Sequence, residues 1–530
     1  MSKTVMPKIN KIVLLMLENR SLDNVLGWLY DGVELPADCV YPPESSRRFE
    51  GIASYLENGV GDRIYKPSRG TQQKFQPLRQ PRWNPNEWWA NVGNQCYWDA
   101  NGHEIIPRWT AGYRAPMTGF AKDYAAFYDA TDEVMGAYSK EQLPVLYGLA
   151  EGFAVSDQWF SSVPTETNPN RAFGLCGISQ GAVDNADRLY YTAPTLLNAL
   201  SSAPEPKSWK VYWQYAGSED MDPDKNDPIC YTVDVFQQIR VAVNEDRRRA
   251  ACWDQFFTDA ACGKLPDVSY IEPFSTGGYG FPWGDDFIGL QGNDYHAPGW
   301  VGQAEWDLNR VYQALVDSPH WDETLLVITF DEHGGTWDHV PPQPALNPDE
   351  WPPLQNFDFE FTGVRVPAIL VSPWVKPGSV FRAPTGSPYP FDHTSVIATL
   401  LRWAGIEDLA TAGFGRRVAA APSFDELVGP THYDNKPEFR VPAAYRTMGG
   451  PKGPHNIPFG IGKMRPRDFR RIEAQSSSHR DFLHRLRREA ANDGRNALAR
   501  GADFVRSEAM LAWRRATKRR NRDPSERNLR

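Results

Sequence analysis

Glu18 and Asn19 stand side by side directly after the unbroken apolar run Ile12–Leu17. An adjacent carboxylate and amide oxygen suit a hard divalent cation, although the same residues also fit a solvated helix start. A second acidic pair, Asp331 and Glu332, follows the apolar run Val327–Phe330 and precedes His333, Gly334, Gly335, Asp338 and His339. Neighbouring carboxylates repel one another, and a cation shared with the other strand end offsets that cost. The two glycines let the backbone turn sharply beside the pair. In the third segment, VPTETNPNR, Thr165 and Thr167 lie just before Pro169, Asn170 and Arg171. Pro and Asn mark a turn there, ahead of a helix predicted from about Arg171. A hydroxyl at a helix N-terminus faces backbone donors that can hold a phosphoryl oxygen. Beside a metal it can also ionise and act as a nucleophile. Taken alone, it reads as an N-cap threonine.

These residues need elements to position them. Apolar runs at Ile12–Leu17, Val327–Phe330 and Val366–Val371 read as strands, and Glu141–Ala150 and Ala304–Asp317 as helices. Such alternation predicts an α/β fold with a largely parallel sheet, in which ligands sit at the carboxyl ends of strands. Pro-rich stretches from Lys66 to Asn94 and from Val340 to Pro353 read as long loops or lids. Organisation is expected as a body over residues 1–430, a Pro/Gly-rich connection over 431–464 and a basic helical appendage over 465–530.

In sequence order, MLENRSLDNVLGWL, Thr167–Arg171 (T-N-P-N-R) and ITFDEHGGTWDHVP resemble signature segments of the bacterial and plant phospholipase C and acid phosphatase family, a branch of the alkaline-phosphatase superfamily. VMGAYSKEQLPVLYGLA, SWKVYWQ, GNDYHAP, GVRVPAILVSPWVKPG and DHTSVIATL extend the resemblance over roughly residues 10–405. It implies an alkaline-phosphatase-like α/β/α sandwich and a divalent metal held by Glu18, Asn19, Asp331 and Glu332, with Thr167 as nucleophile and further ligand. Thr165 is the neighbouring candidate, because this chain reads V-P-T-E-T-N-P-N-R where the family more often has G-P-T-x-P-N-R. The resemblance also implies that His296 in GNDYHAP grips phosphate or protonates the leaving oxygen, a task suited to imidazole. His103 is the candidate for a second phosphate-gripping histidine, in a segment that also reads as a hairpin. His333, His339 and His393 read as groups that orient loops. An all-oxygen ligand set accepts Mg, Ca, Mn or Zn.

Composition bounds the rest. The chain has 530 residues, 41% of them hydrophobic, and a net charge of −9, enough for a sizeable core. No apolar stretch reaches the roughly 18 residues of a spanning helix. The N-terminus reads as a first strand with no secretory cleavage pattern, so a cytoplasmic location, or export by a non-standard route, is expected. The six cysteines form no C-x-x-C pair and are expected to be free thiols, with a Cys252–Cys262 bridge as the alternative. Arg465–Arg530 holds 19 Lys and Arg against 9 Asp and Glu, whereas the residues before it hold 38 against 57. The tail is therefore expected to dock as helices on the body or to recruit the protein to an anionic membrane. The acidic body argues against nucleic acid.

The expected reaction is a two-step phosphoester hydrolysis through phosphothreonine, on a phospholipid or another phosphate ester. Phospholipase C activity is favoured over a broad acid phosphatase, and a non-catalytic phosphoryl-binding, lipid-binding or nucleic-acid-binding role is the reading from another class. Trp83, Trp88, Trp89 and Tyr97 could enter a lipid interface or pack on the core.

Overall fold

The run that opens the chain, Lys11–Leu17, is strand β1, and all but its first residue are buried. An apolar strand with no polar alternation must be covered on both faces, so β1 belongs at the centre of a sheet. The computed structural model describes residues 5–447 except 71–80, 82, 129–131, 189, 215–229, 275–276, 284–285, 291, 298 and 349–350. The predicted basic appendage over 465–530 lies outside the described residues.

The main sheet has nine strands. After β1 these are β2 (Val40–Tyr41), β3 (Ala154–Ser156), β4 (Trp209–Trp213), β5 (Ala250–Cys252), β6 (Val268–Glu272), β7 (Thr324–Phe330), β8 (Ala368–Val371) and β9 (Ser379–Phe381). Their spatial order is β2-β9-β3-β8-β7-β1-β6-β4-β5. Only β8 runs against its neighbours, antiparallel to both β7 and β3, while the other pairings are parallel. The α/β reading with a largely parallel sheet therefore holds.

Six helices matter for the site: α1 (Leu22–Leu26), α2 (Trp89–Tyr97), α3 (Pro144–Gly152), α4 (Thr167–Cys176), α5 (Val301–Val316) and α6 (Thr394–Trp403). Helix α3 starts at Pro144, three residues later than the pattern predicts, because proline suits the first turn, where a missing N–H costs nothing. Helix α4 begins at Thr167, four residues before the predicted start. Pro169 falls in its first turn, so the turn signal and the helix start coincide.

The connection predicted over 431–464 is docked where it is described. Tyr433 N donates to Pro373 O at 2.7 Å, Phe439 packs 5.4 Å from Tyr312, and Tyr445 OH donates to Gln142 O at 2.8 Å. All six cysteines are free, Cys252 and Cys262 being exposed. Among the described residues no helix is long and apolar enough to cross a membrane.

Candidate active site

Parallel pairing of β1 with β7 runs through to Leu17 opposite Phe330, so Glu18-Asn19 and Asp331-Glu332 leave the sheet side by side. The backbone continues the ladder past the strand ends: Asp331 N donates to Leu17 O at 3.1 Å and Arg20 N to Glu332 O at 3.0 Å. Asn19 has φ +59°, a left-handed conformation that Asn tolerates. The turn beyond Glu332 passes so close that a Cβ on Gly334 would lie 2.3 Å from Asn19 O. Glycine is required there by space as well as by its φ of +61°.

Thr167 opens helix α4 and donates its hydroxyl to Asn19 Oδ1 at 3.4 Å. Asn170 explains part of the T-N-P-N-R pattern, because its side chain stitches the loop before the helix. Its Oδ1 accepts from Val163 N at 3.0 Å, and its Nδ2 donates to Thr165 O at 2.9 Å and Glu166 O at 3.1 Å. Arg171 explains the rest: its Nε donates to Asp331 Oδ2 at 3.0 Å, and its guanidinium lies 3.7 Å from Glu18 Oε2. Thr165 is directed elsewhere, with its hydroxyl 3.4 Å from Asp184 Oδ1.

The site concentrates buried negative charge. Burial, followed by the charges of Asp294 and Asp331, raises the Glu18 carboxyl well above its usual range. Burial, followed by the charges of Glu87, Asp331 and Glu166, does the same for Glu332. On the other side, burial would lower the Arg171 guanidinium, but Asp331 and Glu18 more than offset it. One arginine does not balance this many acids. Glu332 Oε1 and Asn19 Nδ2 are buried and make no hydrogen bond. An oxygen-rich, electron-rich cradle with an unused carboxylate oxygen fits a hard divalent cation. Glu18, Asn19, Asp331 and Glu332 would hold it, with Thr167 within reach of Asn19.

Histidines frame the cradle. His296 is buried on the loop after Asp294. Two bonds anchor the residues just before it: Glu18 N donates to Asp294 O at 2.8 Å and Arg20 Nε to Tyr295 O at 2.7 Å. Tyr295, with φ +73°, is fixed by its hydroxyl, which donates to Glu305 Oε1 on α5 at 2.5 Å. Burial pushes Glu305 up to about 7, and its carboxylate also accepts from Val145 N and Leu146 N at the start of α3. His333 is held neutral by burial, which takes it down to about 3. Its Nε2 lies 2.8 Å from Gln95 Oε1 and its Nδ1 3.3 Å from Glu332 Oε2. His393, also lowered by burial, donates Nε2–H to Asp331 O at 2.6 Å. Both therefore orient the acidic pair, as the sequence suggests. His103 does not join them. It sits on an exposed hairpin with its side chain 79% accessible and 3.5 Å from Asp99.

A family model described as the Phosphoesterase family matches residues 9–407. The chain belongs to the phosphoesterase family. Among curated relatives, non-specific phospholipase C4 of Arabidopsis thaliana is 29% identical over 436 residues, covering 79% of this chain and 72% of its own. Non-specific phospholipase C3 of the same plant is 30% identical, with 80% and 74% covered. Hemolytic phospholipase C of Pseudomonas aeruginosa is 24% identical, with 75% and 53% covered. A solved protein of the alkaline phosphatase superfamily from Vibrio parahaemolyticus superposes with a TM-score of 0.29 at 14% identity, covering 52% of this chain and 64% of that one. This phosphoesterase is thus a phosphoric ester hydrolase of mixed α/β fold, in a family whose members suggest divalent metal use.

Beside the cradle the phosphoesterase carries a buried clamp that sequence reasoning did not assemble. Asp23, Asp338 and His339 bring their ligand atoms within 4.8 Å of one another, as a metal site would. Arg365 already supplies the positive charge there, donating Nε to Asp338 Oδ1 and Nη2 to Asp23 Oδ1, each at 3.0 Å. We therefore read the cluster as an ion-pair clamp between the E-N-R-S-L-D and D-E-H-G-G-T-W-D-H loops. Ser21 reinforces it by donating Oγ to Trp337 O at 2.6 Å. Burial alone would lower His339, but Asp23 at 2.6 Å and Glu50 hold it up to about 9.

A raised histidine stabilises the fold fully below its unfolded value near 6.5, and that contribution is lost as pH rises through about 9. Urea unfolding midpoints are expected to fall between pH 6.5 and 9.5, by on the order of 2–3 kcal/mol of stability. His339→Gln is expected to flatten that fall, and an unchanged pH slope in the variant would refute the assignment.

Asp294, Glu87 and Glu166 are the acids sequence reading missed. Asp294 had a signal, lying two residues before His296 in the same motif. Glu87 had none, since the segment around it reads as a Pro- and Trp-rich loop. That segment is packed: Trp83 stacks on Tyr128 with centroids 5.5 Å apart, Trp89 lies 6.1 Å from Phe357 and Tyr97 is buried. These aromatics serve the core.

Proposed function

We propose that the protein is a phospholipase C that cleaves the diacylglycerol-side phosphoester bond through a covalent phosphothreonine at Thr167. The observation that carries this reading is the Thr167 hydroxyl held against Asn19 at the start of a buried helix, over a cradle of carboxylates. The plant and bacterial relatives named phospholipases C support the lipid diester over a small monoester.

Each step falls to residues of this chain. Thr167 Oγ forms the new bond to phosphorus from the helix start, where the positive end of the helix dipole favours phosphoryl oxygens. The unused Asn19 Nδ2 is a further donor for an equatorial oxygen. A divalent cation in the cradle would favour the ionised hydroxyl and neutralise phosphoryl charge. As the phosphorus–oxygen bond to the leaving alcohol breaks, His296 gives that oxygen a proton. The same imidazole then takes a proton from the water that hydrolyses phosphothreonine, releasing the phosphorylated headgroup. Arg171 keeps Asp331 in place throughout.

Assay of phosphatidylcholine in mixed micelles beside a chromogenic monoester tests the substrate reading. The lipid is expected to be turned over with the higher kcat/KM, releasing diacylglycerol and phosphocholine. A strong preference for the monoester would instead assign a phosphatase.

A further inference from the structure

Large apolar side chains and arginines stand together on the loop 351–355 and the turn beside it. Trp351 is 46% exposed and Leu354 51%. Arg188 lies over Trp351, 5.1 Å from the ring centroid, and Arg416 donates Nε to Asn347 O at 2.7 Å just ahead of the loop.

The loop is fixed. Leu354 N donates to Gly181 O at 2.8 Å. Gly181, with φ +81°, is approached so closely that a Cβ there would lie 2.3 Å from Pro352 O. Gln355 donates its amide to Asp184, the residue that Thr165 also bonds, two positions before Thr167. Beneath the loop, Phe357, Phe359 and Phe361 form one apolar cluster with Val163, Val183 and Phe173. Phe173 belongs to α4, so an apolar wall runs from the exposed loop to the helix that carries the nucleophile.

We propose that Trp351 and Leu354 form a rim that enters the headgroup zone of a zwitterionic phospholipid bilayer, with Arg188 and Arg416 against lipid phosphates. This rests on the phospholipase reading above. Trp favours that zone because its ring is apolar and its edge is polar. An arginine buries its stem beside it while its head stays with phosphate. Asp349, Glu350, Asp358 and Glu360 lie in the same stretch of sequence as Trp351 and Leu354, so it carries no excess of positive charge that would call for an anionic lipid. The packed loop holds the rim out before any membrane arrives, which removes the cost of ordering it on binding.

The test uses the full chain and phosphatidylcholine vesicles at physiological salt. Co-sedimentation is expected to fall at least tenfold for the Trp351→Ala/Leu354→Ala double variant and to be retained by Trp351→Phe. Hydrolysis of vesicle lipid should fall with it, while hydrolysis of a soluble chromogenic diester stays within twofold. Equal sedimentation of variant and wild type, or wild-type protein that does not bind the vesicles, overturns the proposal. Loss of soluble-diester turnover also overturns it, by making the loop part of the catalytic body. A wild-type dimer that the double variant converts to monomer assigns the patch to a second copy and overturns it too. Failure of the phospholipase reading shows separately, as no turnover of detergent-dispersed phosphatidylcholine by the wild type.

Discussion

Thr167→Ala is expected to lower kcat by about 10⁴-fold or more, because it removes the atom that forms the covalent bond and no neighbouring hydroxyl can substitute. Thr165 is the nearest alternative in sequence, yet its hydroxyl faces Asp184 while that of Thr167 faces Asn19. Thr165→Ala should therefore cost less than tenfold. Thr167→Ser keeps a hydroxyl at the helix start and should retain measurable turnover. Acid quench during steady-state hydrolysis, followed by peptide mapping, should place phosphate on the peptide containing Thr167. Phosphate on any other residue would reject the mechanism.

Removal of divalent cations is expected to abolish turnover, with restoration on adding them back. A second readout separates binding from catalysis. Glu332 is a buried carboxylate set among Asp331, Glu87 and Glu166, and its Oε1 has no hydrogen-bond partner. Glu332→Gln removes that repulsion and should raise the melting temperature of the cation-free protein by a few degrees, as a gain of about 1 kcal/mol would. The same substitution should remove most of the rise in melting temperature that a saturating divalent cation gives the wild type. A variant that still gains as much from cation as the wild type would exclude Glu332 as a ligand. Arg171→Ala should be costlier to the fold, since breaking a buried pair leaves the Asp331 charge uncompensated at about 3–5 kcal/mol.

The central strands were legible because each is an apolar run that ends abruptly in polar residues. Ile12–Leu17 and Val327–Phe330 read as strands, and the structure extends them at their starts by one and three residues. The reading of Val366–Val371 as a strand held as well, but its direction did not show, since an apolar run looks the same whichever way it runs. The helix Thr167–Cys176 starts earlier than the turn signal suggests, because Pro169 lies in its first turn and not ahead of it.

The sequence by itself determined which residue types could do chemistry: an acid and amide at one strand end, paired acids at another, and a threonine before a helix. It did so because short-range order, strand then turn then helix, is written in periodicity and in Pro, Asn and Gly. Only the tertiary structure decided that β1 and β7 are neighbours in register, which brings Asn19 N within 3.0 Å of Asp331 Oδ1 across 312 positions of chain. Only it removed His103 to an exposed hairpin and brought in Asp294, Glu87 and the Asp23–Arg365–Asp338–His339 clamp. The physical reason is common to all of these. Burial and charge pairing depend on which distant segments share a volume, and for an isolated acid or histidine no local pattern carries that information.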